Sequence, residues 1–228
     1  MGDFVFVSED IIVFDKPAGM PSHPLKEHEA NTALDVVIAK YPEVAHASSQ
    51  KREGGLVHRL DNNTSGLLLF ARHPDAYALL RNLIKSQKIE KTYLALVQGK
   101  ILNQLQINHP IAHHQKNKKK MIVVKKEMRF FRGEPQTATT LIEPISWGQD
   151  ATLIRVEIQG GRRHQIRVHL ADAGHPLIGD ELYGGPKSIC LPGHALHADT
   201  LVLPDALKLI APVPELFKSE AAKYGIGF

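Results

Sequence analysis

A single carboxylate lies at the centre of the stretch that most constrains this sequence, residues 58–66, which is His-Arg-Leu-Asp-Asn-Asn-Thr-Ser-Gly. Asp61 is followed by residues that favour turns, because Asn, Asp, Ser and Thr side chains bond to nearby backbone groups. Before it, Leu56 and Val57 predict the end of one strand, and after it the apolar run 67–71 predicts a buried strand. We therefore expect Asp61 to be fixed at a strand end.

The rest of the chain predicts strands with a few helices between them. A first helix should begin at Asn31 or Thr32, where Thr32 and Asp35 form a variant capping box, and end at Pro42. Further helices are expected from Asp75 to about Gln87, with Leu79, Leu80, Leu83 and Ile84 turned inward, and from about Arg163 to Ala173. Strands are expected at 5–14, 67–71, 92–97, 121–124, 138–142 and 151–158. Without strict alternation of strand and helix, this order indicates an α+β domain with a mixed or largely antiparallel sheet.

Composition narrows the class of protein without naming an activity. The 228 residues contain no stretch that resembles a linker, so we expect one domain over 1–228 with two lobes around a cleft. The net charge of +4 is compatible with nucleic acid but is shared by many enzymes. A single cysteine allows no internal disulfide, and neither a leader peptide nor a membrane-spanning stretch is evident. A cytoplasmic protein without membrane contact is the resulting expectation.

Basic residues concentrate in one segment, residues 116–132. Ile122 and Val124 alternate there between cationic flanks, which predicts a strand and a turn that project lysines. The turn would carry Lys118, Lys119 and Lys120. This pattern has two interpretations: a solvated charged loop, or a surface that binds along the phosphates of RNA.

Four sequence blocks resemble the RluA family of pseudouridine synthases. Residues 58–66 resemble the family's H-R-L-D-x-x-T-S-G block, which contains the catalytic aspartate. The other blocks are residues 13–20 with His23-Pro24, residues 91–97, and residues 161–170 with 174–176 and 179–184. The resemblance extends from about Phe4 to Pro214. It implies a bent mixed sheet flanked by helices, with a central active-site cleft.

The resemblance also implies roles for particular residues. Asp61 would be the catalytic aspartate, Arg167 its paired guanidinium, and Tyr93 the aromatic ring against the target base. Arg59 would fill the space left by an extruded uridine or contact phosphate. The other residues expected to bind RNA are His58, Arg162, Arg163, His164, Lys118, Lys119 and Lys120. No metal and no cofactor is expected.

Taken singly, these residues have simpler interpretations. An isolated Asp61 would most often form an Asx turn, Tyr93 a core contact, and Arg167 a helix-surface charge. Asp180 and Glu181 suggest a second acid for a glycosidase, although within Gly-Asp-x-x-Tyr-Gly they more plausibly brace a loop. The clustered histidines 109, 113 and 114 lack the spacing of metal ligands.

Three positions depart from the family pattern. Asp15 stands where asparagine is usual, Gly160 replaces a threonine, and Gly193 replaces an arginine. The two glycines remove side chains, so RNA recognition there would differ. None of the departures affects Asp61, Tyr93 or Arg167.

The predicted function is therefore an RNA pseudouridine synthase of the RluA type. It would act as a monomer on a uridine in structured rRNA or tRNA, without an N-terminal S4 domain. Two alternatives are an RNA-binding protein that has the fold but no turnover, and a hydrolase of N-glycosidic bonds. The hydrolase would release free uracil, whereas a synthase releases none.

Overall fold

The computed structural model describes residues 2–24, 29–50 and 52–228, and only the backbone of Asp205. The chain forms two compact units. Unit 1 consists of Met1–Lys91 and His197–Pro212, and unit 2 of Thr92–Leu196 and Val213–Phe228. The expectation of a single catalytic domain with two lobes around a cleft stays a prediction.

The elements are numbered in chain order over the described residues. The helices are α1 (Ala33–Lys40), α2 (Pro74–Lys85), α3 (Gln165–Asp172) and α4 (Glu215–Ala222). The strands are β1 (Asp3–Val7), β2 (Ile11–Lys16), β3 (Ser65–Ala71), β4 (Glu90–Gln98), β5 (Leu105–Ile107), β6 (Ile111–His114), β7 (Met121–Val123), β8 (Phe131–Gln136), β9 (Thr139–Trp147), β10 (Ala151–Gln159), β11 (Leu196–Val202) and β12 (Lys208–Ile210).

Unit 1 contains a mixed sheet in the order β1-β2-β3-β11, with β12 beside β11. The pairs β1–β2, β2–β3 and β11–β12 are antiparallel, whereas β3 and β11 are parallel, with Ser65 opposite His197. All seven residues of β3 are buried, which confirms the buried strand predicted from the apolar run 67–71. Gly66 allows the close approach to β11, because a Cβ there would collide with the carbonyl group of Ala198.

The two helices of unit 1 begin close to the predicted positions. At α1 the Thr32 hydroxyl accepts from the Asp35 amide while the Asp35 carboxylate accepts from the Thr32 amide, so the predicted capping box is confirmed. On α2 the prediction for Leu79 is wrong: Leu80 is buried, but Leu79 is 60% exposed. Ala76, one turn before Leu80, occupies the core-facing position instead.

Unit 2 contains two sheets. In the first, β4, β10, β9 and β5 pair antiparallel in that order. In the second, β6 lies between β7 and β8. A core that includes Leu96, Leu153 and Phe217 packs around α4, and a smaller core joins the second sheet to Val168 of α3.

Several predicted elements differ from the structure: the strands β5, β6, β8, β11 and β12 were not predicted, and β9 extends to Trp147 where a strand was expected to end at residue 142. The strand expected at 5–14 is two strands, because the Ser8 hydroxyl accepts from the amides of Asp10 and Ile11 and turns the chain. Leu56 forms an isolated bridge with Phe70 and not a strand. Helix α3 begins at Gln165, because His164 has a left-handed backbone with φ 55°.

The predicted α+β class with a mixed sheet is confirmed by this arrangement. Among the described residues, no helix is long and apolar enough to cross a membrane.

Candidate active site

The loop that carries Asp61 is a tight turn leading into β3. The Thr64 amide donates to the Asp61 carbonyl at 3.0 Å, and the Gly19 amide donates to the Asn62 carbonyl at 2.8 Å. Thr64 and Ser65 are buried, whereas Asp61 is half-buried. The Asp61 side chain therefore projects from a backbone that is fixed on both sides.

Ser22 fixes the residue immediately before Asp61. Its hydroxyl donates to the Leu60 carbonyl at 2.8 Å and accepts from the Leu60 amide at 3.0 Å. Ser22 and Leu60 are both buried, so these bonds are shielded from water. A single side chain thus satisfies both backbone groups of Leu60.

Lys16 is a buried cation beneath the same loop. Its Nζ donates to the carbonyls of Pro17, Met20 and Asn62 at 3.1, 2.7 and 3.0 Å, and the residue is 0% exposed. Burial lowers the pKa of Lys16 to about 7, although the carboxylates of Asp61 and Asp15 oppose the shift. No role was predicted for Lys16, and the only signal was its place in the first block that resembles the family.

His58 and Arg59, both expected to bind RNA, have different surroundings. The His58 Nε2 accepts from the Leu69 amide at 3.3 Å, and burial lowers the pKa of His58 to about 3. His58 is therefore neutral near pH 7 and contributes no positive charge for phosphate. Arg59 is exposed, with Nη1 3.4 Å from the Nε2 of His23.

Tyr93 lies in β4 of unit 2, opposite Val156 of β10. It is buried, with 6% of its surface exposed. Burial suits a core residue, and it also suits an aromatic wall that a base covers. The core interpretation from the sequence therefore stays open.

Arg167 forms a buried ion pair within unit 2. Its Nε donates to Oδ2 of Asp180 at 2.7 Å and its Nη2 to Oδ1 at 2.8 Å, which is a bidentate arrangement. The two side chains are 9% and 1% exposed. The interpretation of Arg167 as an ordinary surface charge is wrong, and its partnership with Asp180 was not predicted. Asp180 does brace a loop, since its carbonyl accepts from Tyr183 and Gly185.

The three residues before α3, residues 162–164, each have a bonded partner. The Arg162 Nε donates to the Thr137 carbonyl at 3.2 Å, and the Arg163 Nη2 donates to the Lys119 carbonyl at 3.3 Å. The Nδ1 of His164 lies 2.9 Å from the Tyr183 hydroxyl. Arg163 is exposed, whereas Arg162 and His164 are half-buried.

The predicted basic turn lies between β6 and β7, at residues 115–120. Asn117 shapes it, because its side chain accepts from the Lys119 amide and its carbonyl accepts from the Lys120 amide. Lys118 and Lys119 are exposed and Lys120 is half-buried. We call β6, this turn and β7 the basic hairpin.

Metal ligands do not assemble in the part of the chain that is described: no group of three or more His, Cys, Asp or Glu side chains could hold an ion there. His113 is exposed on β6, and His109 uses its carbonyl to accept from His169. The neighbouring His114 accepts from the amides of Lys116 and Asn117 and so shapes the basic turn.

The structure thus has a single carboxylate on a fixed turn in unit 1 and a buried guanidinium beside a basic hairpin in unit 2. Such features suit chemistry on a polyanion. The RNA pseudouridylate synthase family model matches residues 10–172, and the chain belongs to this family. Members are isomerases that act on RNA, and the chain is therefore an RNA pseudouridine synthase.

Two curated relatives agree with this assignment. An uncharacterized RNA pseudouridine synthase of Bacillus subtilis, YlyB, is 32% identical in an alignment that covers 93% of this chain and 69% of the relative. Ribosomal large subunit pseudouridine synthase D of Pseudomonas aeruginosa is 32% identical in an alignment that covers 94% of this chain and 69% of that protein. The RluA-type resemblance predicted from the motifs is confirmed.

A solved structure agrees at the level of fold. The human RNA pseudouridylate synthase domain containing 4 has a TM-score of 0.77 and 21% identity, with 99% of this chain and 94% of that chain covered. The predicted pseudouridine synthase fold is confirmed.

Proposed function

We propose that the chain converts a specific uridine of structured rRNA or tRNA to pseudouridine, with Asp61 as its catalytic carboxylate and with no cofactor. The observation that carries this proposal is the fixed turn around Asp61. Ser22 holds Leu60, and Lys16 holds the carbonyl of Asn62, so both neighbours of Asp61 are fixed. A preoriented group reacts without first losing conformational freedom.

The reaction is an isomerisation, so its atoms balance without a second substrate. The bond from N1 to C1′ breaks, the uracil turns within the site, and C5 bonds to C1′ while the C5 proton is released to solvent and N1 gains one. No oxidant, phosphate donor or metal is required. Asp61 could attack C1′, add to C6 or assist removal of a sugar proton, and each route requires its carboxylate to be ionised.

Arg167 and Tyr93 are proposed to act with Asp61. A guanidinium beside a carboxylate favours the ionised form, and a bidentate partner such as Asp180 keeps that guanidinium in one orientation. Tyr93 would stack on the target base and lie near C5, where its hydroxyl could serve as an acid or base. Both roles come from the family's motifs, and both remain proposals for this chain.

RNA binding is proposed to use the exposed cations. Extrusion of a stacked uridine costs a few kcal/mol, and contacts to the surrounding phosphates offset this cost. Arg59, Arg163 and the exposed Lys118 and Lys119 are the strongest candidates. The name of the Pseudomonas relative favours the large ribosomal subunit as the source of the target. We propose a cytoplasmic monomer that needs no protein partner.

The test is tritium release from RNA labelled at uridine C5. Wild type should release tritium after dialysis against a chelator and should produce no free uracil. Asp61→Asn should release none, whereas Asp10→Asn, the same change on an exposed acid of unit 1, should match wild type. Equal release by Asp61→Asn and wild type would refute the catalytic role, and free uracil would indicate a hydrolase.

A further inference from the structure

The side chain of Tyr183 contacts three parts of unit 2 that are far apart in the sequence: the basic hairpin, His164 and Arg167 of α3. Tyr183 ends a short 3-10 turn, Glu181–Tyr183, within the block Gly-Asp-x-x-Tyr-Gly. Its amide donates to the carbonyl of Asp180, which is the partner of Arg167. The contacts of its hydroxyl and of its ring then link the basic hairpin to α3.

The Tyr183 hydroxyl bonds to the basic hairpin and to the residue before α3. It accepts from the Met121 amide at 2.8 Å and lies 2.9 Å from the Nδ1 of His164. One hydroxyl can serve both, since its oxygen accepts from an N–H group while its proton is donated to a ring nitrogen. Met121 directly follows the lysines of the turn and is buried, so its amide has a shielded bond.

The ring of Tyr183 lies against two cations. The Arg167 guanidinium carbon is 5.1 Å from the ring centroid, and the Lys120 Nζ is 5.8 Å from it. Both distances are within the range of cation–π attraction. A further bond links the same parts, because Arg163 donates to the carbonyl of Lys119.

We propose that Tyr183 is a positioning residue that fixes the basic hairpin in its RNA-binding orientation and packs against Arg167. This inference rests on the proposed role of the hairpin lysines in binding RNA phosphates. Without the hydroxyl bond the hairpin samples other orientations. The apparent affinity for RNA then falls in proportion to the fraction of molecules with the hairpin in place.

Tyr183→Phe tests the hydroxyl alone, because the ring and its cation contacts stay. Loss of a hydrogen bond to a shielded amide shifts an equilibrium by about tenfold, so Kd and KM for RNA should rise by about tenfold. The kcat of Tyr183→Phe should remain within about twofold of wild type, because the aromatic ring still packs against Arg167. Tyr183→Leu, which lacks the ring, should lower kcat as well.

A double-mutant cycle separates positioning from direct RNA contact. The lysines 118, 119 and 120 are replaced by alanine with and without Tyr183→Phe. If Tyr183 acts through the hairpin, Tyr183→Phe should raise the Kd for RNA by less than about twofold in the variant that lacks the three lysines. An undiminished tenfold effect in that background would overturn the inference, and so would an unchanged KM in Tyr183→Phe alone.

Controls keep the result interpretable. Tyr224→Phe removes the same atom from a half-buried tyrosine of unit 2 and should leave KM unchanged. If Tyr183→Phe fails to fold, hydrogen exchange of the Met121 amide in wild type takes its place: slow exchange is expected because this amide donates to the Tyr183 hydroxyl, and exchange as fast as that of the exposed Lys118 amide would overturn the inference. Tritium release by wild type is measured alongside: its absence would refute the proposed function, whereas normal release with a normal Tyr183→Phe would refute this inference alone.

Discussion

Replacing Asp180 with asparagine removes one charge from the buried ion pair with Arg167 and keeps the shape of the side chain. The two side chains are 9% and 1% exposed, so the remaining guanidinium would stay largely shielded from water. Asparagine also offers one oxygen where the carboxylate offers two, and one of the two bonds is lost. Breaking a buried pair from one side costs about 3–5 kcal/mol in the free energy of unfolding.

The single tryptophan makes this loss measurable in the correct unit. Trp147 lies in β9 of unit 2, where its Nε1 donates to the Ile101 carbonyl, so its fluorescence reports the unfolding of that unit. With a urea m-value of about 2 kcal/mol/M, the midpoint for Asp180→Asn should fall by about 2 M. Replacing both partners, as Arg167→Met with Asp180→Leu, should cost less than Asp180→Asn alone because no buried charge remains.

A matched control uses an exposed pair of the same unit. Glu215 and Lys218 are 83% and 40% exposed, and Glu215→Gln should change stability by no more than about 0.5 kcal/mol. A loss below about 1 kcal/mol for Asp180→Asn would mean that the pair contributes no more than a surface contact, and the structural argument for a fixed Arg167 would fail.

Three further predictions concern charge. The pKa of Lys16 is about 7 in the folded chain and 10.5 in the unfolded chain, so the unfolded chain binds more protons between these two pH values. The free energy of unfolding of wild type should therefore rise with pH from about 7 to about 10.5. Lys16→Met should lose that rise, as measured by urea titrations followed by circular dichroism. Burial and the neighbouring Asp3 raise the pKa of Asp15 to about 6, so the folded chain binds more protons than the unfolded chain between about pH 4 and pH 6. The free energy of unfolding contributed by this group therefore falls as pH rises through that range. In the same urea titrations, Asp15→Asn should be more stable than wild type at about pH 7.5 but not at about pH 4. Alanine at all three of residues 118–120 should reduce the slope of log K against log salt by about 2 to 3 in RNA titrations, whereas Lys218→Ala should leave it unchanged; an unaltered slope in the triple variant would exclude the turn from the phosphate contacts.

Local patterns predicted the parts of the fold that depend on neighbouring residues. The capping box at Thr32, the turn after Asp61 and the buried strand β3 all involve residues within a few positions of each other. The short strand β8 was missed because its sequence, Phe-Arg-Gly-Glu-Pro-Gln, lacks the alternation of a half-buried strand. Leu79 was misplaced because helical spacing alone does not define which of two adjacent leucines faces the core.

The parts of the site that were missed depend on contacts between distant residues. Lys16 bonds to Asn62 across 46 positions, and Tyr183 bonds to Met121 across 62. No local spacing predicts such contacts, and only the family's motifs indicated that these positions matter. The buried partner of Arg167 was missed for a similar reason, because the Gly-Asp-x-x-Tyr-Gly block does not by itself indicate which cation its acid holds.

The most direct test of the central claim is the yield of pseudouridine in a single turnover with enzyme in excess of RNA, analysed by chromatography of the digested nucleosides. Wild type and Asp10→Asn should convert the target uridine completely, and Asp61→Asn should form no pseudouridine although it binds the RNA with normal affinity. Pseudouridine formed by Asp61→Asn at the wild-type rate would contradict the assignment of Asp61 as the catalytic carboxylate.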